Sequence, residues 1–421
     1  MIFSPRSGFP SSTRYMPIVA STRLIFTFSQ SIRHIISVLK IPDCSDTIDW
    51  IIIAIFFKIE MVNAMIKKRY DNIDLLKCLS TLMVISLHIP LWSDNFIESS
   101  SIPQIIQYAF RLISEGVPFF VAVNGFLMLQ KKSFDMKLHL RKMGRIFGLF
   151  ILWAVILICV SFALWGVPEG LNPEQFIGYI LETKVGSPYT GVLWFLENLL
   201  GVYVVFPILW KIYQDDFSLF RYFFLIATVF VPGIGCLELI ADAVSTVSQT
   251  TLIYSAIGFI KRFNSISNGW YIYYFCLGGM IFHYLDVIKE KRIFLSSAGF
   301  LSWLLAFTYG YLMSVKTNTL YKDSFNYGSV FMVIFIIGVF ALTIYFQGNK
   351  NIFTRIICDI GKNSFGIYVS HTIFIQIIAK NYSVDGIVSR ITAFVIVLIL
   401  SYVFSVCMGK NKFLRKLISV S

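Results

Sequence analysis

Between Ile73 and Met408 the chain repeats one pattern ten times: an apolar segment of 17 to 21 residues, then a short polar connection. The segments run over about 73–92, 112–129, 146–166, 191–210, 220–240, 269–285, 294–314, 327–346, 364–380 and 389–408. A helix needs roughly 20 apolar residues to cross the hydrocarbon of a bilayer, where its backbone must be satisfied internally. The pattern therefore predicts an all-α, polytopic integral membrane protein, a bundle of about ten transmembrane helices. Composition agrees, with 57% hydrophobic and 14% charged residues and a mean hydropathy of +0.73.

Charge tests the count independently, because cytoplasmic loops collect Lys and Arg. With the N-terminus inside, 21 basic residues fall in cytoplasmic segments and eight in outer ones. That asymmetry predicts both termini in the cytoplasm. It also explains the net charge of +13 by topology, so no nucleic-acid partner is expected. The longest outer connections, about 93–111, 167–190 and 241–268, are too short for a soluble domain, and no internal repeat marks a transporter of the inverted-repeat kind. The chemistry has to be built mostly from the membrane helices.

Residues 1–60 read differently from the rest. They are almost free of acids before Asp43, and their one apolar run, WIIIAIFF (50–57), is too short to span. They are expected to be an N-terminal extension, disordered or upstream of a misassigned start, with Met61 or Met65 opening the functional domain 61–421. The seven cysteines are scattered singly, so neither a disulfide framework nor a metal site is expected.

The first apolar segment carries KCLSTLMVISLH. Eleven residues at 100° each return His88 to within about 20° of Lys77, roughly 16 Å along the axis. Asp74 and Thr81 lie near the same line, giving a polar stripe on an otherwise apolar helix. Ionisable groups inside a span usually face a bundle interior or a wet cavity where they bind or transfer something. Asp74 and Lys77 could equally pair and snorkel to the interface. His88 sits toward the outer end, where a neutral imidazole can take a proton from a hydroxyl.

DNIDLLKCLSTLMVISLH (71–88) resembles the first helix of the membrane-bound acyltransferase 3 family, which has a basic residue, ten residues and then His, commonly with a preceding Asp. Lys77 stands where members usually have Arg, which keeps the charge and loses the bidentate fork. VPFFVAVNGFLML (117–129) is similar to the family's FF-x-x-SGF segment, with Asn124 in the place of Ser. RKMGRIF (141–147) resembles the basic opening of its third helix. LWFLENLLGVYVVFPIL (193–209) is similar to its LWF…Y…P segment, with Val192 where a His often stands, and NSFGIYVSH (363–371) to its GIY-x-x-H segment. The five follow one another in family order across about 70–408. Among members, the chain is most similar to single-domain types that acetylate surface polysaccharides or their lipid-linked precursors, such as the enterobacterial common antigen. No esterase-like C-terminal domain is expected.

The resemblance implies an O-acetyltransferase of the inner (cytoplasmic) membrane. It binds no resident cofactor, takes acetyl-CoA from the cytoplasm as acyl donor, and acylates a glycan or undecaprenyl-linked glycan toward the outside. His88 is then the catalytic base or a transient acyl carrier, and Lys77 a catalytic and donor-orienting cation. Arg141, Lys142 and Arg145 are candidates for the donor phosphates, with plain topogenic charge as the alternative. Asp74, Asn124, Trp194, Glu197, Tyr368 and His371 are candidates for substrate contact or structural support. His34, His139 and His283 have no evident partner. Two rival readings are a multi-pass transporter or flippase, and a transferase of another acyl group such as succinyl.

Overall fold

The computed structural model describes residues 70–89, 102–181, 189–248, 251–263, 269–382, 384 and 387–419. The expected extension 1–60, both candidate start methionines and His34 lie outside the described residues. Every regular element among the described residues is helical. In chain order these are α1 (Asp71–His88), α2 (Ile102–Ile113), α3 (Val117–Leu129), α4 (Met136–Trp165), α5 (Pro173–Leu181), α6 (Trp194–Asp215), α7 (Phe217–Thr228) and α8 (Ile234–Ser248). They continue with α9 (Leu252–Lys261), α10 (Trp270–His283), α11 (Leu285–Glu290), α12 (Arg292–Thr317), α13 (Val330–Thr343), α14 (Ile352–Lys362), α15 (Ser364–Asn381) and α16 (Ile387–Lys410).

Local chemistry sets many of these boundaries. Asp135 accepts the Leu138 amide to open α4, and Gly166, at φ 93°, closes it with a left-handed turn that a side chain would resist. Asp216 caps α7 in the same way, while Asn351 and Thr354 form a reciprocal capping box on α14. A π turn at Val229–Gly233, containing Pro232, joins α7 to α8 without ending the rod.

Six helical stretches are long and apolar enough to cross a membrane: Tyr108–Leu129, Met136–Trp165, Gly191–Asp215, Phe217–Ser248, Arg292–Thr317 and Val388–Lys410. Exposed apolar side chains such as Val204, Leu225, Leu312 and Val403 give four of them an apolar outer surface, whereas Tyr108–Leu129 is mostly buried. The other four expected segments fall on α1, α10, α13 and α15, which have only 14 to 18 residues. Of these, α1 and α10 are largely enclosed. α1 touches α3, α13, α14, α15 and α16. A helix walled by other helices can rest its ends on protein, so its length need not match the lipid.

Glycine makes the tightest of these contacts. A side chain on Gly125 of α3 would strike the Phe275 carbonyl, and one on Gly278 of α10 the Ala122 carbonyl, so the two backbones touch. Gly361 of α14 meets the carbonyl of Asp74 in the same manner. α1 is thereby fixed against α14 at its first turn and a half, which places its acidic end beside the α14–α15 junction.

Candidate active site

At the C-terminal end of α1, His88 faces His371 of α15, with ring centroids 5.3 Å apart. His371 is fully buried, and its Nδ1 hydrogen-bonds to the Tyr368 carbonyl one turn earlier. A carbonyl only accepts, so Nδ1 carries the proton and Nε2 holds a bare lone pair. Nε2 is buried and has no hydrogen-bond partner among the described residues. Tyr368 is held in turn, its hydroxyl donating to the Val192 carbonyl and its ring lying 5.4 Å from Phe195. The GIY-x-x-H stretch is thus tied to the LWF stretch, and Val192 contributes through its backbone.

Around this pair the helix ends supply polar groups in a half-buried setting. The Ser86 and Ser114 hydroxyls are 2.7 Å apart and link α1 to the turn after α2. Arg111, only 9% exposed, forms an ion pair with Glu115 at 2.7 Å and lies within electrostatic reach of His88. Trp194 is half-buried and packs with Trp270, Tyr271 and Tyr327, whose rings lie 6.1 to 6.3 Å from its own. It is part of an interior aromatic cluster rather than a lone interfacial ring. Glu197, one turn on, is exposed and interacts with Tyr271.

The other end of α1 is ionic. Asp74 is 7% exposed and Lys77 half-buried, and Asp71 accepts the Gly348 amide at 2.9 Å. Ligand-capable atoms of Asp71, Asp74 and Cys358 lie within 4.8 Å of one another, a set of the kind that can hold a cation. Single-residue spacing did not reveal that set, because α14 brings Cys358 in from far along the chain. Of the three basic candidates on α4, Arg141 is exposed, Lys142 lies over the Tyr203 ring at 5.1 Å, and Arg145 reaches the Lys416 carbonyl at 3.4 Å and the Ser419 hydroxyl at 3.3 Å. The stripe therefore runs between two separate groups, His88 with His371 and Tyr368 at one end and Asp74 with Asp71 and Cys358 at the other, with Lys77 between them.

Asn124 lies on α3 and donates its amide to the Phe120 carbonyl of its own helix at 2.9 Å. Two histidines without an evident partner turn out to be packed. His139 bonds the Tyr203 carbonyl at 2.9 Å and stacks on its ring, while His283 stacks on Phe217 at 3.6 Å. Arg111 and Glu115 are not among the candidates read from the sequence. The signal was there: an Arg and a Glu at i, i+4 spacing in an otherwise apolar stretch.

A multi-pass helical membrane protein with a histidine pair at one end of an enclosed helix and a cation at the other is the class these features define. Its family follows from comparison with known sequences: the acyltransferase 3 profile, described as an acyltransferase domain, matches residues 70–410. The chain belongs to that family and is an acyl-transferring membrane enzyme. No curated protein and no solved structure matches it.

Proposed function

We propose that this enzyme moves an acetyl group from cytoplasmic acetyl-CoA to a hydroxyl of a cell-surface polysaccharide or its lipid-linked precursor, in the inner membrane. The observation that carries the reading is the His88–His371 pair at one end of a helix whose other end bears Lys77. In this reading ten helices span the bilayer, both termini are cytoplasmic, and the Lys77 end faces the cytoplasm, as the distribution of basic residues favours. The relatives that acetylate lipid-linked antigen precursors are the type it follows.

His88 accepts the proton of the acceptor hydroxyl while the oxygen attacks the thioester carbonyl. The new C–O bond forms, the C–S bond breaks, and the imidazolium returns the proton to the departing thiolate. The products are an ester and coenzyme A. His371 acts as a positioning residue: on substrate binding its bare Nε2 would accept the N–H of His88, so that the other His88 nitrogen meets the hydroxyl. Such contacts often close only when substrate is bound. Lys77 steadies the donor, and the roughly 16 Å between Lys77 and His88 is the depth that the acyl-bearing arm has to enter.

The test is glycan ester content, measured by mass spectrometry in a deletion strain complemented with wild type, with His88→Ala or with a chain starting at Met61. The proposal expects one added acyl mass with wild type and none with His88→Ala, and the mass itself separates acetyl from succinyl. An unmodified glycan in every strain would sink the assigned acceptor.

A further inference from the structure

A cavity of about 370 Å³ opens where α14, α15 and α16 come together with the C-terminal segment. It lies at the Lys77 end of the bundle, because Gly361, beside the lining residue Lys362, is the glycine that packs on Asp74. We propose that this cavity is a binding site for a phosphate-bearing anion. The cavity stands on its own geometry; only the donor-derived source of that phosphate rests on the function proposed above.

Three cations line it, Lys362, Lys410 and Arg415, against the single acid Asp359. Asp359 is already engaged, accepting the Tyr402 hydroxyl and lying 3.9 Å from Lys362, so the lining carries a net positive charge. The 18-residue α15 starts at the same place, and its N-cap residue Asn363 makes no side-chain bond to the first-turn amides. Asn363 spends its side chain elsewhere, donating to the Asp359 carbonyl and accepting from Ser405. The first-turn amides of α15 and the last carbonyls of α14 meet at this junction, so the positive character of the cavity rests on the three cations.

The far wall is built rather than loose. Trp153, itself buried, donates its indole N–H to the Leu417 carbonyl at 2.8 Å, and Arg145 holds Lys416 and Ser419. Ile418, between them, is buried and lines the cavity. Topogenic charge alone explains cations at this end of a membrane protein. It does not explain why they surround a concavity of ligand size. Two sources present the required chemistry: the phosphates of the acyl donor and the headgroup phosphate of an anionic lipid.

The experiment uses the full chain in nanodiscs, wild type against Lys410→Gln/Arg415→Gln, with Lys410→Arg/Arg415→Lys as the charge-preserving control. Coenzyme A binding is titrated in phosphatidylcholine discs, and retention of phosphatidylglycerol is read by native mass spectrometry after purification from mixed lipid. A fall of about tenfold or more in coenzyme A affinity, restored by the control, identifies the donor phosphates. Unchanged coenzyme A binding with phosphatidylglycerol lost from the Gln variant alone identifies a lipid headgroup. If both readouts match wild type in the folded Gln variant, the cations are topogenic only and the inference is overturned. That result would leave ester formation by wild type untouched, whereas an inactive wild type that still loses phosphatidylglycerol on substitution would sink the acetyl-transfer reading and keep the site.

Discussion

The two ends of α1 are built for different kinds of work. At the His88 end, neutral or internally paired groups dominate: two imidazoles, a buried Arg111–Glu115 pair and an aromatic cluster. At the Lys77 end the groups are ionic, and the nearby cavity is rimmed by cations. In the proposed reaction a phosphate-bearing donor would use the second kind of surface, and proton transfer from an acceptor hydroxyl would use the first.

Substitutions can break that division, and the largest effect is expected at His88. His88→Ala should lower acyl transfer by about a hundredfold or more while leaving the protein in the membrane, the usual contribution of a general base. Ester yield normalised to membrane content checks this. His371→Ala should cost about tenfold to a hundredfold in turnover, the scale found when a group orienting a histidine is removed. The loss should fall on kcat with donor KM unchanged, and a change in donor KM alone would place His371 outside the reacting group.

At the ionic end the expected signature reverses. Lys77→Ala should raise donor KM by about tenfold with a smaller change in kcat, and Lys77→Arg should stay close to wild type because charge is kept. Donor titrations in membrane vesicles distinguish these outcomes. Unchanged donor kinetics in Lys77→Ala would mean that the lysine only snorkels. The smallest effect is expected at Arg141, which is exposed: Arg141→Gln should leave transfer within about twofold of wild type, as surface charges generally do.

The polar stripe of α1 was legible in the sequence because helical periodicity alone places Asp74, Lys77, Thr81 and His88 on one face. The partner of His88 was not. His371 comes from α15, and only packing of helices distant in the chain brings the rings together. The same limit hid the Asp71–Asp74–Cys358 group and the roles of His139 and His283 as packed residues. Of the ten apolar segments read from hydropathy, six coincide with helices long and apolar enough to cross a membrane among the described residues, and the other four fall on shorter helices. Two of the shorter helices, α1 and α15, hold His88 and His371, and a helix surrounded by protein can keep charged and hydrogen-bonding side chains that lipid would reject.

The most direct test of the central claim is transfer of label from acetyl-labelled acetyl-CoA in inverted membrane vesicles supplied with endogenous glycan acceptor, comparing wild type with His88→Ala. An acyl-transferring His88 end predicts a labelled product that mild alkali releases, formed by wild type and absent from His88→Ala. Equal labelled ester from both proteins would contradict the role given to His88 and, with it, the division between the two ends of α1.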